Sequence, residues 1–504
     1  MHAFTWSFIM GGFFGVVAKQ DCVTDLYYAT DYHSHLGTER GGMAVLNGNG
    51  FTRTIHNISA TPFRSKFEND LSAFHGNSGL GVISDYEDQP LVCSTHLGVF
   101  AIVTVGLINN VEPLLKELFR QGPLQFSEMS RKGVNTTELI TALISTQPTI
   151  AQGIRYAQTR IDGSCSILIL TEKGDLYAAR DRYGRTPVAL ARKHDNSACA
   201  AVSETCALPN LDYEHVRDLG PGEVVRITAT DFETLAPPYA EMAICAFLWT
   251  YYGYPASAYE NMNVEQVRYY SGGALALRDL DDVEGDFVAG VPDSGVGHAL
   301  GYARVAKIPF ARPFVKYTPT WPRSFTPQHQ SHRELVARMK LIPIPQILHG
   351  KRVIFCDDSI VRGTQLHDQV QRLYDGGARE IHMRIACPPI LHACKFLNFT
   401  RSRSVMDLIT RRTIKELEGE DANIQPYHDP NSSQHKAMVA RIQKRLGLTT
   451  LKYQLLDDLT AAIGLPAEKL CTYCWTGRDI SCGTDCRCCP SAGVCTTKPS
   501  QELL

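Results

Sequence analysis

Neither sign of charge dominates this chain of 504 residues: 50 Lys and Arg stand against 52 Asp and Glu, a formal net charge of -2. No global field therefore recruits nucleic acid or an anionic membrane, and any phosphate binding must come from local geometry. Long hydrophobic runs are missing too. The apolar stretch from Phe4 to Ala18 covers 15 residues with no Lys or Arg before it. It is too short to span a bilayer and lacks the charged start of a signal peptide. We read it as leading into a buried first strand near Gly12-Phe13-Phe14-Gly15-Val16-Val17, and the chain as cytoplasmic with no membrane partner. Repeats of fixed period and long low-complexity linkers are also absent, which argues against a solenoid.

What is present is an ordinary soluble composition, 44% hydrophobic and 20% charged, in a chain too long for one compact core. Residues 11 to about 240 read as many short strands, such as Leu97–Val105, Cys165–Thr171 and Glu223–Thr228. Helical stretches over Val111–Arg120 and Thr136–Ser145 interrupt them, a mixture expected of an α+β layered domain. From about 285 strand and helix alternate: Asp286–Val291, Val296–Val305, Lys351–Cys356, Thr364–Tyr374, Glu380–Ala386. Leu366, Val370 and Leu373 share one helix face, Gly376-Gly377 closes that helix, and the whole predicts a βαβ unit with ligands at the carboxyl ends of its strands. The last hundred residues are predicted helical over Gln434–Leu446 and Leu455–Ile463, ending in a cysteine-rich tail.

The most informative string is Val353-Ile354-Phe355-Cys356-Asp357-Asp358-Ser359-Ile360-Val361-Arg362-Gly363-Thr364. An apolar strand delivers two carboxylates to its end, then a loop of small hydroxyl residues and a glycine opens a helix. Loop amides and a helix N-terminus hold an anion without net positive charge. The paired carboxylates repel phosphate, but they suit sugar hydroxyls and a divalent cation that neutralises a pyrophosphate. A bare acid pair at a strand end would be commonplace; the eight-residue string from Asp357 to Thr364 is far more specific.

That string resembles the phosphoribosyl pyrophosphate (PRPP) loop of type I phosphoribosyltransferases, in particular that of the glutamine phosphoribosylpyrophosphate amidotransferase (amidophosphoribosyltransferase) family. The similarity continues in Val291-Pro292-Asp293-Ser294-Gly295, like the family's pyrophosphate-side loop, and in Arg323-Ser324-Phe325, Gln330, Arg333 and Met339-Lys340-Leu341, like its flexible loop. Pro388-Pro389-Ile390 also follows the family pattern. Upstream, Ala179-Arg180-Asp181-Arg182-Tyr183-Gly184, Ser203-Glu204-Thr205-Cys206-Ala207-Leu208 and Pro221-Gly222-Glu223 resemble its glutaminase domain.

The resemblance implies an α+β N-terminal-nucleophile-hydrolase-like four-layer domain followed by an α/β type I phosphoribosyltransferase domain. The expected divisions are 1–10 as a propeptide-like extension, 11–240 as glutaminase-like, 241–400 as transferase, and 401–504 as a helical segment with its tail. By the same resemblance Ser359, Ile360, Val361, Arg362, Gly363 and Thr364 hold the 5′-phosphate, and Asp357 and Asp358 the ribose hydroxyls. Mg2+ falls to Ser294, Asp357 and Asp358, while Arg333 and Lys340 offset the charge of departing pyrophosphate. A homo-oligomer is expected, and no nucleic-acid partner.

The glutaminase chemistry is expected to be lost. In the family a mature N-terminal cysteine, in a Met-Cys-Gly-Ile-x-Gly start, attacks the glutamine amide with the free amino terminus as base. The corresponding run is Met10-Gly11-Gly12-Phe13-Phe14-Gly15, so Gly11 stands at the nucleophile's position. The Gly-x-x-Arg-Tyr that grips glutamine's carboxylate reads Gly81-Val82-Ile83-Ser84-Asp85, the His-Asn-Gly-Asn oxyanion motif reads Thr104-Val105-Gly106-Leu107, and an aspartate for the amino group is matched by Thr136. Cys22, the nearest thiol, is expected to be a buried structural residue.

Sixteen cysteines is a high count, and seven of them lie between Cys471 and Cys495. In an unsecreted chain that crowding points to metal before disulfides. The family's cluster-bearing branch places a [4Fe-4S] cluster on four cysteines whose matches are Cys245, Cys394, Cys471 and Cys474; zinc on the same thiolates is the rival. Cys482, Cys486, Cys488, Cys489 and Cys495 lie beyond the pattern, either as a second thiolate site or as an unstructured tail.

Three functions follow. The first is an enzyme that makes phosphoribosylamine from PRPP and ammonia, or ammonia from a partner, for purine nucleotide synthesis; a further one is transfer to a different nucleophile. The second is a silent PRPP- or nucleotide-binding paralogue with a redox-sensitive cluster.

Overall fold

The computed structural model describes residues 11–480, apart from 86, 123, 131–132, 281, 317–340 and 398–403. The N-terminal half is two stacked antiparallel sheets. The first has seven strands in the order Tyr213–Asp218, Ala189–Lys193, Ala198–Val202, Gly11–Ala18, Ser78–Ser84, Arg40–Asn47, Gly50–Asn57. The second has six, in the order Phe232–Ala236, Val224–Ile227, Leu176–Ala179, Gly163–Thr171, Gly98–Ile108, Leu91–Thr95.

Period-two alternation explains why these strands are apolar on both faces. From the Gly11–Ala18 strand, Phe13 and Val17 point between the sheets to meet Val103, Leu168 and Leu176. Phe14 and Val16 point the other way, onto Leu26 and Ala29 of the helix Val23–Asp31. On the far side, Ile102, Ile167 and Ile169 of the second sheet pack under Leu118, Ile140 and Ile154 of the helices Val111–Gln121, Thr136–Ile144 and Ile150–Arg160. The result is a helix, sheet, sheet, helix stack, the four-layer architecture the resemblance implied. The expected first strand and the expected helices at 111 and 136 are in place.

The second half is built on a parallel sheet in the order Phe287–Gly290, Arg352–Asp357, Glu380–Ile385, Thr450–Tyr453. The helices Val264–Leu277 and Ser294–Ala306 cross closely because small residues meet backbone. A Cβ at Gly272 would lie 1.8 Å from the His298 carbonyl oxygen, and one at Gly301 would lie 2.0 Å from that of Tyr269. The helix Thr364–Asp375 ends at Gly376, with Gly377 at φ +94° supplying the left-handed turn.

One expectation fails. The residues after 400 are not helical alone: Thr450–Tyr453 is the fourth strand of the transferase sheet, pairing His382 with Thr450 and Ile385 with Tyr453. Four residues of mixed burial beside a strong helical pattern, Ser433–Leu446, give no periodic signal of their own. The sheet therefore draws on chain well past residue 400. The two halves also share a core: Leu36, from the first half, packs with Ile244, Trp249 and Tyr259 of the second.

Candidate functional site: a strand-end acid pair and an anion cradle

The strand Arg352–Asp357 buries Val353, Ile354, Phe355 and Cys356, which fixes where its last residue emerges. In the loop that follows, Ile360 and Val361 turn into the core. That inward anchoring turns the other side of the loop, with Ser359 and Thr364, away from the core. Gly363 has φ +75°, a left-handed conformation that costs an L side chain 1–2 kcal/mol on general grounds, roughly. A Cβ there would also lie 2.4 Å from Ile409 Cδ1. The loop is tied from outside, since the Ile409 amide donates to the Val361 carbonyl at 2.8 Å and Arg412 donates to that of Arg362.

Ser294, at the start of its helix, donates to Asp358 Oδ2 at 2.5 Å, and Ser359 donates to Asp358 Oδ1 at 2.5 Å. The Asp358 amide donates to Asp357 Oδ1 at 2.9 Å. The fold thus brings Ser294, Asp357 and Asp358 together from two strand ends. Burial and then the charge of Asp358 push the Asp357 carboxyl well above the usual range. Burial raises Asp358 as well, opposed by the Ser294 and Ser359 hydroxyls and by the Arg268 guanidinium. Two carboxyls held this close favour keeping a proton on the pair, which a bound cation would displace.

Two groups here gave no sequence signal. Arg268 is buried, donating from Nε to the Trp249 carbonyl at 3.0 Å and from Nη2 to those of Tyr251 and Gly253 at 2.9 and 3.0 Å. It sits in an unremarkable helical run, and only the packing turns its charge toward Asp358. Lys316 Nζ reaches Asp293 Oδ2 at 2.5 Å, beside the Ser294 turn. Arg333 and Lys340 lie outside the described residues.

In the N-terminal half, the positions compared with a glutamine site are engaged with one another. A Cβ at Gly11 would lie 2.5 Å from the Ile83 carbonyl oxygen. The Thr104 amide donates to Gln89 Oε1 at 2.7 Å, Gln89 Nε2 donates back to the Thr104 carbonyl at 3.1 Å, and Thr104 and Thr137 hydroxyls meet at 2.7 Å. Thr136 donates to Glu87 at 3.1 Å, the Glu87 amide to Ser84 at 3.2 Å, and the Thr38 hydroxyl to Asp85 at 3.2 Å. The Gln89 backbone lies so close over Gly42 that a Cβ there would be 1.7 Å from its carbonyl oxygen. Cys22 is buried, and burial with Asp21 and Asp25 pushes its thiol far up, which makes it a poor nucleophile.

The four cysteines named from the resemblance converge. Cys245 and Cys471 are register partners in a short parallel pairing. The Cys394 and Cys474 thiols hydrogen bond, and Cys245 and Cys471 lie within electrostatic reach of both. The Leu397 amide donates to Cys394 Sγ at 3.4 Å. Burial raises the Cys471 thiol to about 11; burial and neighbouring thiols raise Cys245 well above the ordinary value, and the hydrogen bond with Cys394 followed by burial does the same to Cys474. Among the described residues no group of three or more His, Cys, Asp or Glu side chains is placed to hold a single metal ion. Cys482, Cys486, Cys488, Cys489 and Cys495 lie outside the described residues.

A four-layer antiparallel domain joined to a parallel sheet with this strand-end loop defines the class: an N-terminal-nucleophile-hydrolase-like domain fused to a type I phosphoribosyltransferase domain. A model of the glutamine amidotransferase domain matches residues 79–210. The chain is 31% identical to the amidophosphoribosyltransferase of Methanothermobacter thermautotrophicus over 92% of its own length and 93% of the relative's, and 30% identical to that of Methanocaldococcus jannaschii over 93% and 97%. It therefore belongs to the amidophosphoribosyltransferase family. Two solved structures are similar to it: an allosteric regulatory enzyme of purine biosynthesis, with TM-score 0.79 and 26% identity over 93% of this chain and 95% of the other, and the glutamine PRPP amidotransferase from B. subtilis complexed with ADP and GMP, with TM-score 0.78 and 27% identity over 93% and 96%. Among the described residues no helix is long and apolar enough to cross a membrane.

Proposed function

We propose that this chain transfers the phosphoribosyl group of PRPP to free ammonia, giving phosphoribosylamine and pyrophosphate for purine nucleotide synthesis, and that it does not hydrolyse glutamine. The observation that carries the transferase reading is the convergence of Ser294, Asp357 and Asp358 beside the inward-anchored loop Ser359–Thr364. The loop amides and the Thr364 helix start receive the 5′-phosphate; Asp357 and Asp358 orient the ribose hydroxyls. The donor set of two carboxylates and a hydroxyl, all oxygen, fits Mg2+, which when bound neutralises the pyrophosphate and eases its departure. Arg333 and Lys340 are assigned to the same charge as it leaves. Nothing but oxygen donors and backbone is required of the chain on the ribose side.

The ammonia-only reading is supported by Gly11, which carries no nucleophile, and by Ser84, Thr104 and Thr136, which are bonded within the protein. The four cysteines fit a [4Fe-4S] cluster in donor number and softness, contributing all the protein ligands such a cluster needs; their protons would be released on binding. Held there, the group would tie the Leu470–Thr476 segment to the transferase domain.

The test is pyrophosphate release from PRPP and Mg2+. Release with ammonium chloride and none with glutamine is expected, and Asp357→Asn with Asp358→Asn should lower the ammonia rate by at least 10²-fold, roughly. Release with glutamine alone would refute the ammonia reading. No release with any amine, together with a melting shift on adding PRPP, would move the protein to the silent regulatory class.

A further inference from the structure

Arg185 belongs to the glutaminase-like domain, on the turn between the strands Leu176–Ala179 and Ala189–Lys193, yet it lies against the cysteine site. Its carbonyl accepts from the Cys245 amide at 3.1 Å. Its guanidinium carbon lies 3.7 Å from the centre of the Phe396 ring and 4.6 Å from that of Tyr183, so the charge is packed against two aromatic rings. Nη1 donates to the Gly163 carbonyl at 3.3 Å, and Nη2 stands 3.7 Å from Asp479 Oδ1. Asp479 in turn takes Lys395 Nζ at 2.6 Å, and the Lys395 carbonyl accepts from Asn109 of the N-terminal half at 2.8 Å.

Two features are not explained by packing. Arg185 is only 2% exposed, and its Nε–H has no hydrogen-bond partner. A buried guanidinium donor left unmade costs about 1–3 kcal/mol or more, so such groups usually have a client. The Arg185 carbonyl bond to the Cys245 amide places the residue beside the sulfur set. Four thiolates around a zinc ion, or around an oxidised four-iron cluster, carry a net double negative charge, and hydrogen bonds and charges around the sulfurs set the stability and potential of such a site.

We propose that Arg185, reaching across the domain boundary, is the outer-shell cation of the four-cysteine site, donating its Nε–H toward the sulfurs and setting the site's charge balance together with Asp479. The inference rests on the reading of Cys245, Cys394, Cys471 and Cys474 as a metal or cluster site. It gives the glutaminase-like domain a task that survives the loss of its own chemistry: completing the surroundings of a site on the other half of the chain.

Opposite signs make the test. In the full-length chain with its cluster, Arg185→Met should move the midpoint potential, followed by optical or EPR titration, to more negative values, because a buried positive charge no longer favours the reduced state. Asp479→Asn should move it to more positive values, because the guanidinium is less compensated. Arg185→Lys keeps the charge and should stay nearer wild type. Where the purified chain carries zinc, the same order is read by chelator competition, with Arg185→Met weakening retention by about 10-fold and Asp479→Asn not weakening it. Shifts of equal sign in Arg185→Met and Asp479→Asn, or none in either, would overturn the proposal, since loosened packing moves both alike. An unmutated chain with neither iron nor zinc at these thiols would instead overturn the reading of the cysteines, and the inference with it.

Discussion

Gly11 shows what a single residue decides. Under the proposed reading it stands where a nucleophile would be, and the Ile83 carbonyl 2.5 Å from where a Cβ would sit leaves no room to add one. Gly11→Cys should therefore restore no ammonia release from glutamine, and it should lower stability by about 1–3 kcal/mol, read as a lower urea midpoint. A variant with wild-type stability and measurable glutaminase activity would contradict this. The resemblance singled out Gly11, Ser84, Thr104 and Thr136 from the letters alone. It did not expose that Glu87 and Gln89 bond to those positions, because contacts across 15 and 49 residues are set by how strands stack.

Among elements, the crossing of Val264–Leu277 on Ser294–Ala306 positions the acid pair's neighbours, since Arg268 rides on the first helix and Ser294 opens the second. That crossing depends on backbone contact at Gly301. Gly301→Ala is expected to cost about 1–3 kcal/mol by overpacking, seen as a lower thermal midpoint, and to weaken PRPP binding in calorimetry by displacing Ser294. Unchanged melting would sink the claim. Most elements were legible in advance because each carries its own periodicity: the strand Arg352–Asp357, the helix Thr364–Asp375 and the strand Gly163–Thr171 lie within a residue or two of expectation. Thr450–Tyr453 was not, because a four-residue strand owes its existence to the neighbour it pairs with.

At the scale of the whole molecule the halves are joined by buried polar groups. Arg180 is fully buried, donating to the carbonyls of Thr186 at 2.8 Å and Gly184 at 2.8 Å and to Glu260 Oε1, on a hairpin of the second half, at 2.6 Å. Arg180→Met strands those acceptors and should lower stability by about 3 kcal/mol, with limited proteolysis first appearing between the halves. Two buried histidines add a pH dependence. His33 faces the Ala29 carbonyl with Nδ1 and accepts the Glu204 amide on Nε2, and burial lowers it to about 4. His298 faces the Thr250 carbonyl, and burial lowers it to about 3. Both are neutral in the fold but take a proton when unfolded below about pH 6.5, so the unfolded chain binds more protons and stability falls as pH falls. Each group should contribute a slope approaching 1.4 kcal/mol per pH unit, roughly, from below 6.5 down to its folded value, measured by urea midpoints between pH 7 and 5. A flat profile over that interval would contradict the neutral assignment.

The sequence by itself determined whatever is contiguous: the eight residues proposed as the cradle, the order of the two domains, and the periodic strands and helices. A loop of eight residues is local, so its chemistry travels with its letters. Tertiary structure decided everything that depends on distant segments meeting. Resemblance named Ser294 and the four cysteines, but only the parallel sheet sets Ser294 on Asp358, and the thiols are gathered by the Cys245–Cys471 pairing together with the Leu391 and His392 amides on the Cys474 carbonyl. Arg268, Arg185 and the fourth strand had no signal at all, because a charge or a short strand acquires its role from what the rest of the chain packs against it.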